Sequence, residues 1–365
     1  MSPRRALLLA SFLLAFVPRP SAGIDWEIET VDTDGNAGYR GSLALDSQGN
    51  PHIVYMDLTS WDVRYATKTG ATWNVQLVSH SGDYRTSATT VILPGDVPAF
   101  TREGRFAVRS GQGWVYEDMG GFSPWSSTVA LGTDGAVHGM VQWSWGSGDY
   151  MGYVGAVRRE ETGWSYVELM ETIFLPTEPQ ASMIVDAQGN PHMSMTTTSG
   201  DPLRYWHLEG GNWLFDELVP GTWSSIGLDA QGSPRISFYD PVAQDFVIAS
   251  RSNNAWVMMH IDWAGNVGLH TSQVVRNGVS CISYYDQTGG DLMFVLFDGS
   301  QATITPVDVG GQVGAWTSLA LDSEGRPHIA YQDVTNGALK YAVGNNSAVP
   351  TRKSTLGGVK ALYKN

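Results

Sequence analysis

The sequence predicts an all-β fold: a seven-bladed β-propeller with four antiparallel strands per blade, its ring closed by the N-terminal strand. Three observations predict it. Of 365 residues, 42 are glycine, 11% are aromatic and only 16% are charged. That composition reads as strands and turns around a large core, and excludes a helical bundle or a mainly disordered chain. A segment opening on serine occurs seven times at steps of 40 to 55 residues, the length of a propeller blade. Finally, a lone tryptophan-led strand stands at the N-terminus, while the last repeat lacks one.

Residues 1–23 precede the repeats. MSPRR carries two arginines, ALLLASFLLAFV (6–17) is apolar, and PRPSAG brings proline and small residues. This is the order of a secretory signal peptide with cleavage after Gly23, and the apolar run is short for a membrane span. The chain is therefore expected to be exported, to the medium or the cell surface, with no membrane insertion after cleavage. Loss of Arg4, Arg5 and Arg19 with the leader would move the net charge from −14 to about −17.

The propeller should occupy 24–343. SLALDSQGNPHIVYMD (42–57) returns as SMIVDAQGNPHMSMTT (182–197), SIGLDAQGSPRISFYD (225–240) and SLALDSEGRPHIAYQD (318–333). Weaker copies start at Ser87, Ser127 and Ser272. A third strand follows each copy, and a tryptophan-led fourth closes most of them, from Trp73, Trp114, Trp164, Trp213 and Trp256. The seventh copy stops after its third strand, and WEIETVD from Trp26 supplies the fourth, which removes an open sheet edge. Residues 344–365 read as a linker or tail.

The acidic balance excludes nucleic acid as a natural partner, because phosphate contacts need clustered cations. The single cysteine, Cys281, excludes an intrachain disulfide and a multi-cysteine zinc site. No Gly-x-Ser-x-Gly elbow and no His-Glu-x-x-His helix occurs.

The repeat LDxxGxPHIxYxD resembles the blades of secreted bacterial β-propellers, over roughly 24–343. The resemblance implies the fold, export and a binding role, and names no substrate. The closing ALYKN (361–365) resembles the opening of C-terminal sorting domains of the type IX secretion kind. Sialidase-type propellers carry Ser-x-Asp-x-Gly-x-x-Trp boxes, which this chain lacks.

Within the repeat, the Asp-x-x-Gly segments (such as Asp46–Gly49) are expected to be turns, with Asp bonding nearby amides and Gly supplying positive φ. His52, His138, His192 and His328 lie one per blade and cannot converge on one metal ion, so they are expected to be structural.

Two rings of positions are candidates for function. Two residues before each repeat serine stand Arg40, Arg85, Trp125, Gln180, Trp223, His270 and Trp316. Tryptophan, arginine and histidine at a channel rim suit sugar stacking and carboxylate pairing, or they plug the channel. The second ring ends the second strand: Asp57, Glu103, Trp143, Thr197, Asp240, Asp286 and Asp333. Its acids either cap their hairpins or line a negative mouth. The lengthened loops near Trp143–Tyr150 and Ile173–Gln180 break the repeat, as binding loops do.

The sequence thus predicts a monomeric, exported propeller that binds a glycan or an extracellular protein through its loop face. The alternative is a polysaccharide hydrolase or lyase using acidic rim residues. No cofactor is expected, with calcium the one ion left open.

Overall fold

The computed structural model describes residues 24–80, 88–102, 104–120, 126–145, 151–173, 180–197 and 201–348. The leader (1–23), Arg85, Glu103, Trp125, loops 146–150 and 174–179, and the tail beyond 348 lie outside the described residues. Every regular element among the described residues is a strand, and no helix is long and apolar enough to cross a membrane.

The strands form seven four-stranded antiparallel sheets, and in six of them sequence order is spatial order. These are the blades: one (37–80), two (90–118), three (126–173), four (180–220), five (222–262) and six (267–308). Blade seven combines 313–344 with the N-terminal strand Trp26–Asp32, which pairs with Ala338–Gly344 from Trp26 opposite Gly344 onwards. The first strand of each blade touches the first strands of both neighbours in an unbroken circle, so these strands line the central channel.

The repeat residues act mainly between blades. Inner strands of neighbouring blades cannot share a ladder, so their amides need another acceptor. The repeat serine provides it. Ser42 accepts the Thr90 N–H (2.8 Å), Ser225 that of Gln273 (2.9 Å), and Ser272 that of Leu319 (2.9 Å). Ser318 closes the circle by accepting the Leu43 N–H at 3.0 Å.

The fourth-strand tryptophans seal the outside. Trp26, Trp73, Trp164 and Trp256 each pack edge-on against an aromatic ring of the preceding blade, with centroids 5.1–5.4 Å apart. Three also donate their indole N–H to a carboxylate there: Trp73 to Glu29 (2.7 Å), Trp164 to Glu117 (3.2 Å) and Trp256 to Asp216 (3.0 Å). Lys68, Arg159 and Arg251 join those same carboxylates.

The Asp-x-x-Gly segments are turns. Asp46 Oδ1 accepts the amides of Gln48 (2.9 Å) and Asn50 (2.8 Å), and Gly49 takes φ 81°. The following histidines are buried relays. His52 Nδ1 lies 2.5 Å from the Tyr65 hydroxyl and Nε2 lies 3.5 Å from Asp46. His192 lies between Tyr205 and Asp186, and His328 between Tyr341 and Asp322.

Burial holds His52, His138, His192 and His328 below the usual imidazole value, although nearby acids oppose the shift. A depressed histidine favours the native state fully above its unfolded value of about 6.5, and that contribution is lost as pH falls below it. Thermal unfolding should therefore show a falling Tm from pH 7.5 to 5.5, by up to about 1 kcal/mol per histidine per pH unit. The H52Q/H192Q/H328Q variant should show a flatter profile; an equally steep one would remove these histidines from the cause.

Candidate functional site at the channel rim

The four described side chains of the first ring belong to adjacent blades, five, six, seven and one. Each sits at the same irregularity of an inner strand. Pairing jumps from Tyr39 to Ser42, from Thr222 to Ser225, from Leu269 to Ser272 and from Ala315 to Ser318. The residues left in these bulges include Arg40, Trp223, His270 and Trp316. All four adopt left-handed φ, between 49° and 55°. A side chain costs about 1–3 kcal/mol in such a region, and strain of this kind concentrates at functional sites.

The bulges aim the four side chains at one another. The Trp223 and His270 centroids are 4.9 Å apart in a T-shape, and the His270 ring stacks on Trp316 at 4.1 Å and 26°. The Arg40 guanidinium lies 5.4 Å from the Trp316 ring and 5.4 Å from Tyr39. Tyr239 and Tyr285 back the row from the second strands, against Trp223 and His270 respectively. Indole, imidazole, indole and guanidinium thus form one row along about half of the rim.

The interblade loops hold this row in place. Three share the frame Asp-x-x-Gly-(Asn/Gln)-(Ala/Val)-Gly, at 32–38, 262–268 and 308–314. In each, the leading aspartate accepts a tyrosine hydroxyl from the next blade: Tyr55 to Asp32 (2.6 Å), Tyr284 to Asp262 (2.6 Å) and Tyr331 to Asp308 (2.7 Å). The amides of Ala37, Val267 and Val313 bond to hairpin carbonyls of the preceding blade. The closing glycine allows that approach. A Cβ on Gly268 or Gly314 would meet the backbone of Phe246 or Leu292 at 2.7 Å.

The chemistry of the row is that of flat faces and donors. Burial, helped by the Arg40 charge, pushes His270 down to about 3. The imidazole is therefore neutral at ordinary pH. Its Nδ1 accepts the Trp316 backbone N–H at 3.1 Å, which puts the proton on Nε2. That Nε2–H has no partner among the described residues, and neither has the buried indole N–H of Trp223.

Arg85 and Trp125 lie outside the described residues, and Gln180 opens a strand whose first side chain is not described. The described aspartates of the second ring are bonded by their own hairpins, Asp57 also by the preceding interblade loop. Asp57 accepts the Asn36 and Thr59 amides and the Ser60 hydroxyl, and pairs with Arg64. Asp240 accepts the amides of Val242 and Ala243, Asp286 that of Gly289, and Asp333 the amide and side chain of Asn336. Among the described residues, no three His, Cys, Asp or Glu side chains converge as a metal site would require. Cys281 is fully buried, with its thiol pushed up to about 12 by burial, so it is inert.

Sequence reading missed one carboxylate pair. Asp286 and Asp291 flank the blade-six hairpin, each with an oxygen 2.9 Å from where a Gly289 Cβ would sit. Burial raises the Asp291 carboxyl, helped by Asp286 and Asp308.

No family model and no curated protein sequence matches the chain. Among solved structures it is similar to a PL25 ulvan lyase bound to -[GlcA(1-4)Rha3S]-, with TM-score 0.62 and 12% identity over 86% of this chain and 94% of that one. It is also similar to a Hadza microbial sialidase, with TM-score 0.51 and 12% identity over 85% and 66%. The Aleuria aurantia lectin in complex with alpha-methyl-L-fucoside gives TM-score 0.50 and 13% identity over 75% and 96%. At these identities the likeness shows the propeller fold that the chain shares with carbohydrate-related proteins.

Proposed function

We propose that the chain is an exported, non-enzymatic glycan-binding propeller whose ligand sits on the rim row of blades five, six, seven and one. The carrying observation is the row itself: four strained bulges, repeated on adjacent blades, bring Trp223, His270, Trp316 and Arg40 together. Two indole faces suit the apolar face of a sugar ring, and the His270 Nε2–H and Arg40 suit its oxygens. The carbohydrate-related company of the fold supports the same reading. A glycan-array screen of the purified chain, with and without calcium, tests it. Selective binding that W316A removes is the expected result; a blank array from folded protein would count against a glycan and leave an extracellular protein as the ligand.

The second reading, a polysaccharide hydrolase or lyase, is favoured by Asp286 and Asp291. One oxygen of each lies 2.9 Å from the same point, so the two are no more than about 6 Å apart, which admits the spacing of retaining glycosidases. The raised Asp291 would be the acid and Asp286 the base or nucleophile. On this reading, incubation with the bound polysaccharide releases shorter chains and D291N stops the release. Unchanged chain length after incubation with wild type returns the protein to the binding class.

A further inference from the structure

The three framed interblade loops share their leading aspartate and two glycines, and two of the positions that vary strongly in chemistry bear on a ligand. One is the rim residue, Arg40, His270 or Trp316. The other directly follows the leading aspartate and is Thr33, Trp263 or Val309. The residue between them in sequence that fixes the loop is the glycine, not either of these. In the loop between blades five and six both variable positions are ligand-like, Trp263 and His270.

Trp263 is 69% exposed, against 37% for Trp61, the other prominently exposed tryptophan among the described residues. Its ring makes no contact with another aromatic or charged side chain there. The loop that carries it is nonetheless fixed on both sides. Asp262 accepts the Ala264 amide (3.2 Å) and the Tyr284 hydroxyl, and Asn266 donates its amide to the Thr288 hydroxyl (2.8 Å). A Cβ on Gly265 would lie 2.6 Å from Thr288, so the loop is also tightly packed there. A large apolar ring held in water by a rigid loop keeps an unfavourable hydration that a ligand would relieve, and it loses little entropy on meeting one.

We infer that Trp263 is an outer stacking subsite for a second sugar residue of a chain whose first residue lies on the rim row. The inference rests on the glycan reading above and deepens it: the ligand is an oligosaccharide or polysaccharide rather than a single terminal sugar. The inner strand of blade six begins at Val267, and pairing moves from Asp286 at Val267 to Tyr285 at Leu269 and Ser283 at Ser272, so His270 lies between one and three partner residues further along. The His270 ring contacts Trp223, Tyr285 and Trp316 but not Trp263, so a sugar chain running outward from the rim would meet the two positions as separate faces. The adjoining hairpin, which carries the exposed Val242, is tied to the start of this strand by the Val267 amide and the Gln244 carbonyl (3.1 Å).

The test uses the full chain and size ladders of one, two, four and six residues. The ladders are prepared from cellulose, mannan and the -[GlcA(1-4)Rha3S]- polymer. Wild type should bind the longer members of one ladder more tightly than the single sugar. W263A should lose roughly tenfold in affinity for those longer members and none for the single sugar. W316A should weaken every member alike. Length-dependent binding that W263A leaves untouched, or binding independent of length, overturns the outer subsite while the rim reading stands. Absence of wild-type binding to all three ladders, with a blank array, overturns the rim reading and this inference with it. Because Trp263 is exposed, W263A should unfold at the wild-type temperature.

Discussion

W316G should bind ligand at least roughly tenfold more weakly than wild type and yet be more stable than W316A. Both substitutions remove the indole that stacks on His270, meets Tyr39 edge-on and lies under the Arg40 guanidinium, so both lose the central platform of the row. A stacking contact of this kind is worth about 0.5–1.5 kcal/mol beyond buried area, which sets a loss of roughly tenfold or more in affinity. The two variants differ only in backbone. At φ 53° alanine keeps the clash of its Cβ with the chain, whereas glycine has none. The expected difference is about 1 kcal/mol in favour of glycine, or about 2 °C in Tm for a domain of this size. The same pair at Trp213, an outer-strand residue outside the left-handed set, should give the reverse order, because glycine weakens an ordinary strand by about 0.5–1 kcal/mol. Urea unfolding of the four variants checks both signs. If W316A proved as stable as W316G, the bulge would be unstrained and the case for a selected rim geometry would weaken.

That case also shows what could be read in advance. The propeller was legible because the blades repeat a turn, a serine and, in all but the sixth, a tryptophan, and because the orphan strand at Trp26 matched the gap after Val343. The rim positions were legible as a spacing, two residues before the serine, since a repeat returns the same residue to the same height on each blade. Their bulges were not, because a left-handed φ at Arg40, Trp223, His270 or Trp316 has no residue signature of its own. A signal did exist upstream. The frame at 32–38, 262–268 and 308–314 marks the loops that approach the channel, and it lies outside the segment beginning at the serine.

The ring of aspartates could be read two ways for a related reason. Sequence gives their level on the blade, but not the amides of Asn36, Thr59, Val242 or Gly289 that reach their oxygens. Likewise the Trp-x-x-acid spacing at Trp26–Glu29, Trp114–Glu117 and Trp213–Asp216 was visible. Its meaning, an acid offered to the next blade's tryptophan and cation, appears only when neighbouring blades are side by side. Interactions inside one repeat are written in the repeat; those between repeats need the ring.

R64A should be the most destabilising single substitution at the closure of that ring. The strand Trp26–Asp32 belongs to blade seven, yet no turn joins it to that sheet. It is held by pairing with Ala338–Gly344 and by blade one, through Lys68 and Trp73 on Glu29 and through Tyr55 and Arg64 on Asp32. Arg64 carries the largest share of that grip. Its guanidinium bonds Asp32 (2.9 Å), Asp57 (2.8 Å), the Asp34 carboxylate (3.2 Å) and the Asp34 carbonyl (2.9 Å). The side chains of Asp32 and Asp57 are 8% and 1% exposed. Removing the cation leaves two buried acids without a counter-charge, a loss of about 3–5 kcal/mol. R64K should recover only part of it, since an ammonium cannot bridge both carboxylates in the planar geometry of a guanidinium. Burial works to raise Asp57, but Ser60, the Asn36 and Thr59 amides and the Arg64 charge outweigh it and hold the carboxyl below its usual value. The stabilisation from a depressed carboxyl is therefore complete above about pH 4 and lost below it. Urea unfolding should show R64A far below wild type at pH 7, with the gap closing toward pH 3, and limited proteolysis should cut R64A first near Trp26–Asp32. A gap that persists unchanged at pH 3 would mean that Arg64 acts through packing of its stem rather than through its charge.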